Sequence, residues 1–225
     1  MLKISPRFIE TYPQAHIGVL VLKGTGQPVS LDAFAEERQT LEERLRQRYT
    51  GYDREQLKAH PALAAYDAYY SQFRKTYHVL LQLETVIFKG EPISAPSPLV
   101  EAMFMAELEH LLLTAGHDLA YVEGQITTDV ASGEEQYKRL GGQQQSVKAG
   151  DMLIRDERGI LSTVIYGPDQ RTRIRSGTER GLFTVYAPRG IDPEKVREHL
   201  RDIERYVALQ AKDLTREVLQ VYPTG

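Results

Sequence analysis

The chain has 225 residues, of which 26% are charged and 41% hydrophobic, and its formal net charge is -3. This mild acidity argues against a protein that binds polyanions without specificity, although it leaves room for a local basic patch. Cysteine is absent, which excludes disulfides, a thiolate nucleophile and a Cys-type zinc site. Because no run of about 18 apolar residues and no apolar signal core occurs, we expect a cytoplasmic, bacterial protein with no membrane or DNA partner.

The first half of the sequence predicts mainly helices. A short strand at 2–4 and a helical turn or two at 6–12, opened by Ser5, come first. The apolar run HIGVLVLK at 16–23 is typical of a buried central strand and ends at Gly24, Gly26 and Pro28. Four helices are predicted at 30–49, 61–77, 78–89 and 99–115. Ser30 and Pro61 start the first two, and Gly90 and Gly116 end the last two.

One predicted helix carries an aromatic stripe. Its rings lie three and four residues apart, at Tyr66, Tyr69, Tyr70, Phe73 and Tyr77. The stripe packs in the core while Arg74 reaches solvent, or else Arg74 and Tyr77 face a pocket where the guanidinium could bind an anion.

Two carboxylates stand on the most apolar predicted helix. Glu101 and Glu107 each need an arginine partner or a raised pKa on such a surface. We favour a structural pairing with Arg74 or Arg171. Open to a pocket, such a carboxylate could instead orient a substrate amine or a water.

The second half predicts strands and a closing helix. Strands are expected at 120–122, 125–129, 150–158 and 182–187. Asp192 and Pro193 give a strong start signal for a helix that runs to about Ala211, with a last amphipathic turn near Tyr222. The pattern predicts one α+β domain.

The stretch LSTVIYGPDQRTRIR at 161–175 predicts two strands joined at Gly167-Pro168-Asp169. Alternation would place three arginines on one face and Thr172 and Ile174 on the other: Arg171, Arg173 and Arg175. Such a row could hold a phosphate or carboxylate, or could pair with neighbouring carboxylates as a solvated face.

Familiar catalytic motifs are absent: the sequence has no P-loop, GxGxxG, HExxH or GxSxG. The six histidines show no metal-ligand spacing, so we expect no metal and no cofactor. His117, followed by Asp118, is a modest acid/base candidate, while the simpler interpretation is that His117 finishes a helix and bonds its last carbonyls.

Several short blocks together resemble a known family, the stand-alone B3/B4-domain proteins, which are similar to the editing domain of the phenylalanyl-tRNA synthetase β subunit. They are FRKTY at 73–77, LVEAMFMAEL at 99–108, AGHDL at 115–119, GDMLIRD at 150–156 and IYGPDQRTRI at 165–174. The resemblance covers roughly residues 60–190. It implies a single domain over 1–225 with a central mixed β-sheet or sandwich flanked by helices, a strand/helix extension at 1–59 and a closing helix at 192–222.

In the synthetase, this domain hydrolyses tyrosine mis-attached to the phenylalanine tRNA. The resemblance places 99–104 and 162–167 on opposing walls of the pocket. Glu101 and Phe104 stand where the synthetase has Asp and Asn, the second wall is bulkier, and the strand at 183–186 lacks the glutamate that reads the tyrosine hydroxyl. The tyrosine-sensing site therefore does not carry over. The pocket candidates are Arg74, Tyr77, Glu101, Tyr166, Asp169, Arg171 and Thr172.

Two functions are compatible with this resemblance. The first is a free-standing hydrolase of mischarged aminoacyl-tRNA, using a positioned water and the terminal ribose hydroxyl. Arg74 or Arg171 would hold a phosphate or the oxyanion, and Glu101 the amino group. The second is a non-catalytic module that binds a tRNA acceptor end or a small amino-acid-like ligand. Synthetase activity is not expected from this domain alone.

Overall fold

The computed structural model describes residues 2–26 and 30–224 and has an α+β fold in which helices flank two main sheets. Pro28, expected near the end of the second strand, lies outside the described residues. The α-helices are α1 Pro6–Thr11, α2 Asp32–Arg48, α3 Arg54–Lys58, α4 Pro61–Ser71, α5 His78–Phe88, α6 Pro98–His110 and α7 Pro193–Ala208. The strands are β1 Lys3–Ile4, β2 His16–Lys23, β3 Thr114–Asp118, β4 Thr127–Val130, β5 Gln136–Lys138, β6 Gln144–Ser146, β7 Met152–Arg155, β8 Ile160–Thr163, β9 Gly167–Pro168, β10 Arg180–Ala187 and β11 Thr215–Pro223.

One sheet is four-stranded and antiparallel, in the order β11-β2-β10-β3. The apolar run at 16–23 forms β2 and lies between two partners, which confirms the predicted central strand. Helix α7 packs on β2 so closely that a Cβ on Gly18 would lie 2.6 Å from Cγ1 of Val196. The N-terminal segment is thus part of the central core.

The other main sheet is five-stranded and mixed, in the order β1-β4-β7-β8-β9. Strand β1 is parallel to β4, and the remaining pairs are antiparallel. Strands β5 and β6 form a separate hairpin. This hairpin is tied to the β8–β9 turn and to β9, because Arg139 Nε donates to the carbonyl of Tyr166 at 3.1 Å and the Tyr137 hydroxyl to that of Gly167 at 2.7 Å.

The aromatic stripe is buried, but it is not on one helix. Helix α4 ends at Ser71, Arg74 takes the left-handed conformation at φ 55°, and α5 starts at His78. The Tyr66 and Tyr77 rings stack at 4.3 Å. The predicted helix 61–77 was therefore too long. The chain leaves the helix after Ser71, and the turn that follows brings Tyr77 back onto Tyr66.

The helix predicted at 99–115 is also shorter, because α6 ends at His110 and the chain continues into β3. Leu111 has φ 61° and turns the chain. Gly116, predicted to stop the helix, lies in β3, where a Cβ would come 2.6 Å from Cδ1 of Ile174. Buried helix and buried strand have the same unbroken apolar pattern, so periodicity could not separate them.

Three further predictions are wrong. The closing helix ends at Ala208 instead of 222, and the chain returns as β11, an edge strand on β2. Residues Leu119–Tyr121 form a 3-10 helix where a strand was expected. Residues 171–175 are irregular apart from one bridge, Arg173 to His117, because the turn of the preceding hairpin falls at 164–166 and Gly167–Pro168 already forms β9.

Candidate functional site: an apolar cavity beside a basic cleft

An apolar cavity of about 430 Å³ lies between α6, β3 and the β8–β9 turn. Helix α6 contributes one face, since four of its lining residues are spaced by three or four: Val100, Met103, Phe104 and Glu107. The facing wall comes from β3, β8, β9 and β10, with Leu113, Thr114, Ala115, Gly116, Thr163, Val164, Gly167, Pro168 and Tyr186. The two segments that the resemblance placed on opposing walls, 99–104 and 162–167, do line one cavity.

Glu107 is the one acidic residue in the lining of this cavity. Its side chain is 1% exposed. Oε1 accepts a hydrogen bond from the Thr114 backbone N–H at 2.7 Å, whereas Oε2 has no partner among the described residues. Burial raises the pKa of Glu107 to about 8, so the carboxyl is mostly the neutral acid at pH 7.

Two residues of α5 join Glu107 in the lining. His78 and Gln82 are four residues apart and both line the cavity. Oε1 of Gln82 is buried and has no partner within the described part of the chain. Nδ1 of His78 lies 3.2 Å from the Tyr70 hydroxyl.

A basic cleft of about 610 Å³ adjoins the cavity. Its cationic lining residues are Lys138, Arg158, Arg171, Arg173 and Arg175. Arg171 donates two hydrogen bonds of 2.9 Å to the Asp156 carboxylate. The Arg175 guanidinium lies 4.2 Å from the centre of the Tyr121 ring.

Arg173 is shared by the cleft and the cavity. It is exposed, and within residues 2–26 and 30–224 its guanidinium forms no hydrogen bond or ion pair. The Lys138 ammonium is likewise unpaired there. Both cations are therefore available to an anionic ligand in the cleft, and Arg173 lies where the cleft meets the cavity.

A chain of buried polar side chains crosses the interior behind the cavity. The Thr172 hydroxyl donates to the Asp169 carboxylate, and its oxygen lies 2.9 Å from Nδ1 of His117. Nε2 of the same ring lies 3.2 Å from Ser162 Oγ. The Ser162 hydroxyl in turn lies 2.6 Å from the Tyr186 hydroxyl. Burial lowers the pKa of His117 to about 3, so its ring is neutral at pH 7.

The direction of donation along this chain is fixed at its Asp169 end. Because the Thr172 hydroxyl donates its proton to the carboxylate, His117 must donate from Nδ1 to Thr172. Nε2 then accepts from Ser162, whose oxygen accepts from Tyr186. Every group in this chain has a partner, so the arrangement is a satisfied structural network.

The predicted site residues do not converge on one pocket. Arg74 is exposed on the turn after α4, and Tyr77 is in the core with its hydroxyl donating to the carbonyl of Leu111 at 3.2 Å. Glu101 forms an ion pair of 2.7 Å with Arg38 on α2, so its partner is neither Arg74 nor Arg171.

The remaining predicted residues are dispersed as well. Tyr166 lines a shallow hollow beside the cavity, and Asp169 and Arg171 line the basic cleft, while Thr172 is fully buried in the His117 network. His117 does not finish a helix; it lies in β3. Asp118 is also structural, because its carboxylate accepts from the Thr178 hydroxyl at 2.9 Å and from the Ala120 N–H at 3.1 Å.

Three functional candidates were missing from the predicted pocket: Glu107, Gln82 and Arg173. The sequence did signal Glu107, as a carboxylate on an apolar helix, and Arg173, as one of three alternating arginines. Gln82 gave no signal, since a single polar residue on an amphipathic helix is ordinary.

Neither a metal cluster nor a membrane span is found in the described ranges. No three His, Asp or Glu side chains among residues 2–26 and 30–224 are placed to hold a metal ion. No helix within the same ranges has the length and apolar character needed to cross a membrane.

Comparison with known proteins gives a distant structural similarity. No family model matches the sequence, and none of the curated proteins is similar to it. Solved structures that are similar include an N-terminal fragment of the phenylalanyl-tRNA synthetase β subunit from Pyrococcus horikoshii, with 12% sequence identity, a TM-score of 0.49, and coverage of 95% of this chain and 50% of that chain. The chain thus spans about half the length of that fragment. A similarity this distant does not indicate a shared site. The function is therefore inferred from the residues of the cavity and the cleft.

Proposed function

We propose that this protein binds the aminoacyl end of a charged tRNA, with the acyl group in the apolar cavity and the phosphates of the acceptor end in the basic cleft. The observation that carries the proposal is the position of Arg173, which lines both hollows and whose guanidinium has no partner among the described residues. A ligand that fills both must join an apolar body to an anion. An amino acid esterified to a nucleotide is such a ligand.

The size and charge of the two hollows support this assignment. The cavity holds about 430 Å³, which suits a small apolar body, and its walls are aliphatic or aromatic apart from a few polar groups. The cleft offers Lys138 and Arg173, two cations without partners among the described residues, and Arg175 also lines it. Phosphate contacts from two or three such cations position a single strand without reading its sequence.

The test compares one tRNA in its charged and uncharged forms, with binding measured across a salt series. We expect the charged form to bind more tightly, and log affinity to fall with log salt at a slope of about -2, for three phosphate contacts on a single strand. Equal affinity for both forms, or a slope near zero, would overturn the proposal.

Hydrolysis of the bound ester is the second candidate, and one observation favours it. The pKa of Glu107, at about 8, is close enough to neutral pH that the ionised fraction of this carboxyl can take a proton from an attacking water. The protein would then be a trans-acting hydrolase of mischarged aminoacyl-tRNA. A panel of correctly and wrongly charged tRNAs tests this; release of one amino acid that Glu107→Gln abolishes supports it, and no release above buffer refutes it.

A further inference from the structure

Two buried oxygens that have no hydrogen-bond partner among the described residues belong to side chains that line the same cavity. Oε2 of Glu107 comes from α6 and Oε1 of Gln82 from α5, two helices that pack together. Buried polar oxygens are nearly always paired in folded proteins, so two orphans in one cavity wall are unusual. Oε1 of Gln82 is an acceptor, and Oε2 of Glu107 becomes one when the carboxyl is ionised, so the ionised pair lacks a donor.

His78, an exposed residue that also lines this cavity, carries a third acceptor. The Tyr70 hydroxyl donates its proton to the carbonyl of Val164 at 2.8 Å. Its 3.2 Å contact with Nδ1 of His78 therefore requires the proton to be on Nδ1. Nε2 of the neutral ring is then an acceptor, one helical turn from Gln82.

The number of donors and the charge of Glu107 favour one ligand group. A hydroxyl has one proton to donate and would leave one of the two orphan oxygens unpaired. A guanidinium has five donors in a plane, more than these acceptors can pair among apolar walls. An ammonium has three donors, and its charge matches a carboxylate.

We propose that the cavity recognises a primary ammonium group on an apolar body, with Glu107 and Gln82 accepting its N–H bonds and His78 the third. This inference rests on the proposed function in one respect, that the cavity is the site of the acyl group. It assigns to Glu107 the amine-binding role that the sequence suggested for Glu101.

Ionisation of Glu107 follows from occupancy. An ammonium ligand stabilises the carboxylate against the low polarity of its surroundings, so the proton of the neutral acid leaves to solvent as the ligand binds. The tyrosines around it, Tyr66, Tyr70 and Tyr77, have pKa values raised by burial and stay protonated. The released proton is a readout that a purely apolar ligand would not give.

Three small probes test the proposal by calorimetry on the intact chain. Leucine methyl ester carries an α-amine, N-acetylleucine methyl ester keeps the body without the charge, and Nα-acetyl-lysine methyl ester carries only a side-chain amine. We expect one of the two amines to bind at least tenfold more tightly than N-acetylleucine methyl ester. Whichever amine is the tighter identifies the source of the ammonium.

Variants locate the effect. Glu107→Gln is expected to abolish the amine preference and the proton release, and Gln82→Leu to reduce the preference several-fold. Glu101→Gln is the matched control, since this glutamate lies on the same helix but pairs with Arg38, outside the cavity lining. Were Glu107→Gln not to fold, Gln82→Leu would decide.

The outcomes separate this inference from the proposed function. If neither amine binds more tightly than N-acetylleucine methyl ester, or if Glu107→Gln and Glu101→Gln behave alike, the ammonium site is refuted. If the amine preference is found and charged and uncharged tRNA bind equally, the ammonium site stands and the tRNA proposal falls.

Discussion

Two buried polar regions of this protein differ in one respect. Around His117 every polar group has a partner, in a chain that runs from Tyr186 through Ser162 and Thr172 to Asp169. Around Glu107 two acceptors, its own Oε2 and the Oε1 of Gln82, have none among the described residues. In the first region the folded chain itself supplies every hydrogen-bond partner, and these bonds connect β3 to its neighbours. The second is completed only by a ligand, and mutations should therefore act on stability in one region and on binding in the other.

The largest expected effect is on the satisfied network. Replacing His117 by Leu leaves the buried hydroxyls of Ser162 and Thr172 each short of a partner, at about 1–3 kcal/mol per group. We expect the free energy of unfolding in urea to fall by about 3 kcal/mol, while the folded fraction keeps its affinity for leucine methyl ester. A loss well below 1 kcal/mol would mean that the network is not structural.

The pH dependence of the free energy of unfolding tests the region around Glu107. Because the folded pKa of Glu107 is raised to about 8 from an ordinary 4.5, its contribution to stability is fully present below about pH 4.5 and is lost as pH rises to about 8. The loss is at most about 1.4 kcal/mol per pH unit. The difference in unfolding free energy between wild type and Glu107→Gln, measured from pH 5 to 8, should show this slope. A difference independent of pH would show that Glu107 is ionised in the fold.

Arg173→Ala tests the residue that lines both the cleft and the cavity. Arg173 is exposed and unpaired in the described part of the chain, so its removal should leave stability within about 0.5 kcal/mol of wild type. Affinity for charged tRNA should fall about threefold to tenfold, and the salt slope should become shallower by about 0.7. Arg189→Ala, an exposed arginine that lines neither hollow, is the matched control. If Arg173→Ala and Arg189→Ala changed the affinity for charged tRNA equally, Arg173 would not be part of the binding site.

The smallest expected effect is that of Glu101→Gln. This change breaks a partly exposed ion pair with Arg38, which is worth about 1 kcal/mol or less. Binding of leucine methyl ester should not change. Loss of that binding would return Glu101 to the site and weaken the contrast between the two regions.

Local signals in the sequence predicted much of the fold. The start of α7 at Asp192 and Pro193, the central strand β2 and the capping Ser5 of α1 depend on short-range chemistry and were predicted correctly. The boundary between α6 and β3 was not, because the apolar pattern is unbroken there. Strand β11 was missed because edge strands gain their stability from a partner that is distant in the sequence.

The site was less predictable than the fold, for a physical reason. Sequence marked Glu101 and Glu107 as equally anomalous on an apolar helix, and only tertiary contacts separate them: Arg38 reaches Glu101, and nothing in the described chain reaches Oε2 of Glu107. Likewise, the sequence predicted Arg171 and Arg173 on one face of a strand; the segment is irregular, yet both line the cleft. The sequence could not tell that Asp156 pairs with Arg171, while Arg173 has no partner in the described part of the chain.

The most direct test of this account is a carbon-13 NMR titration of the Glu107 side-chain carboxyl, assigned by comparison with Glu107→Gln, in the free protein and with the tighter amine probe. An unpartnered carboxyl that a ligand completes should titrate near pH 8 when free and well below 7 when the amine is bound. Titration near 4.5 in both states would contradict the account, since Glu107 would then be solvated or paired without any ligand.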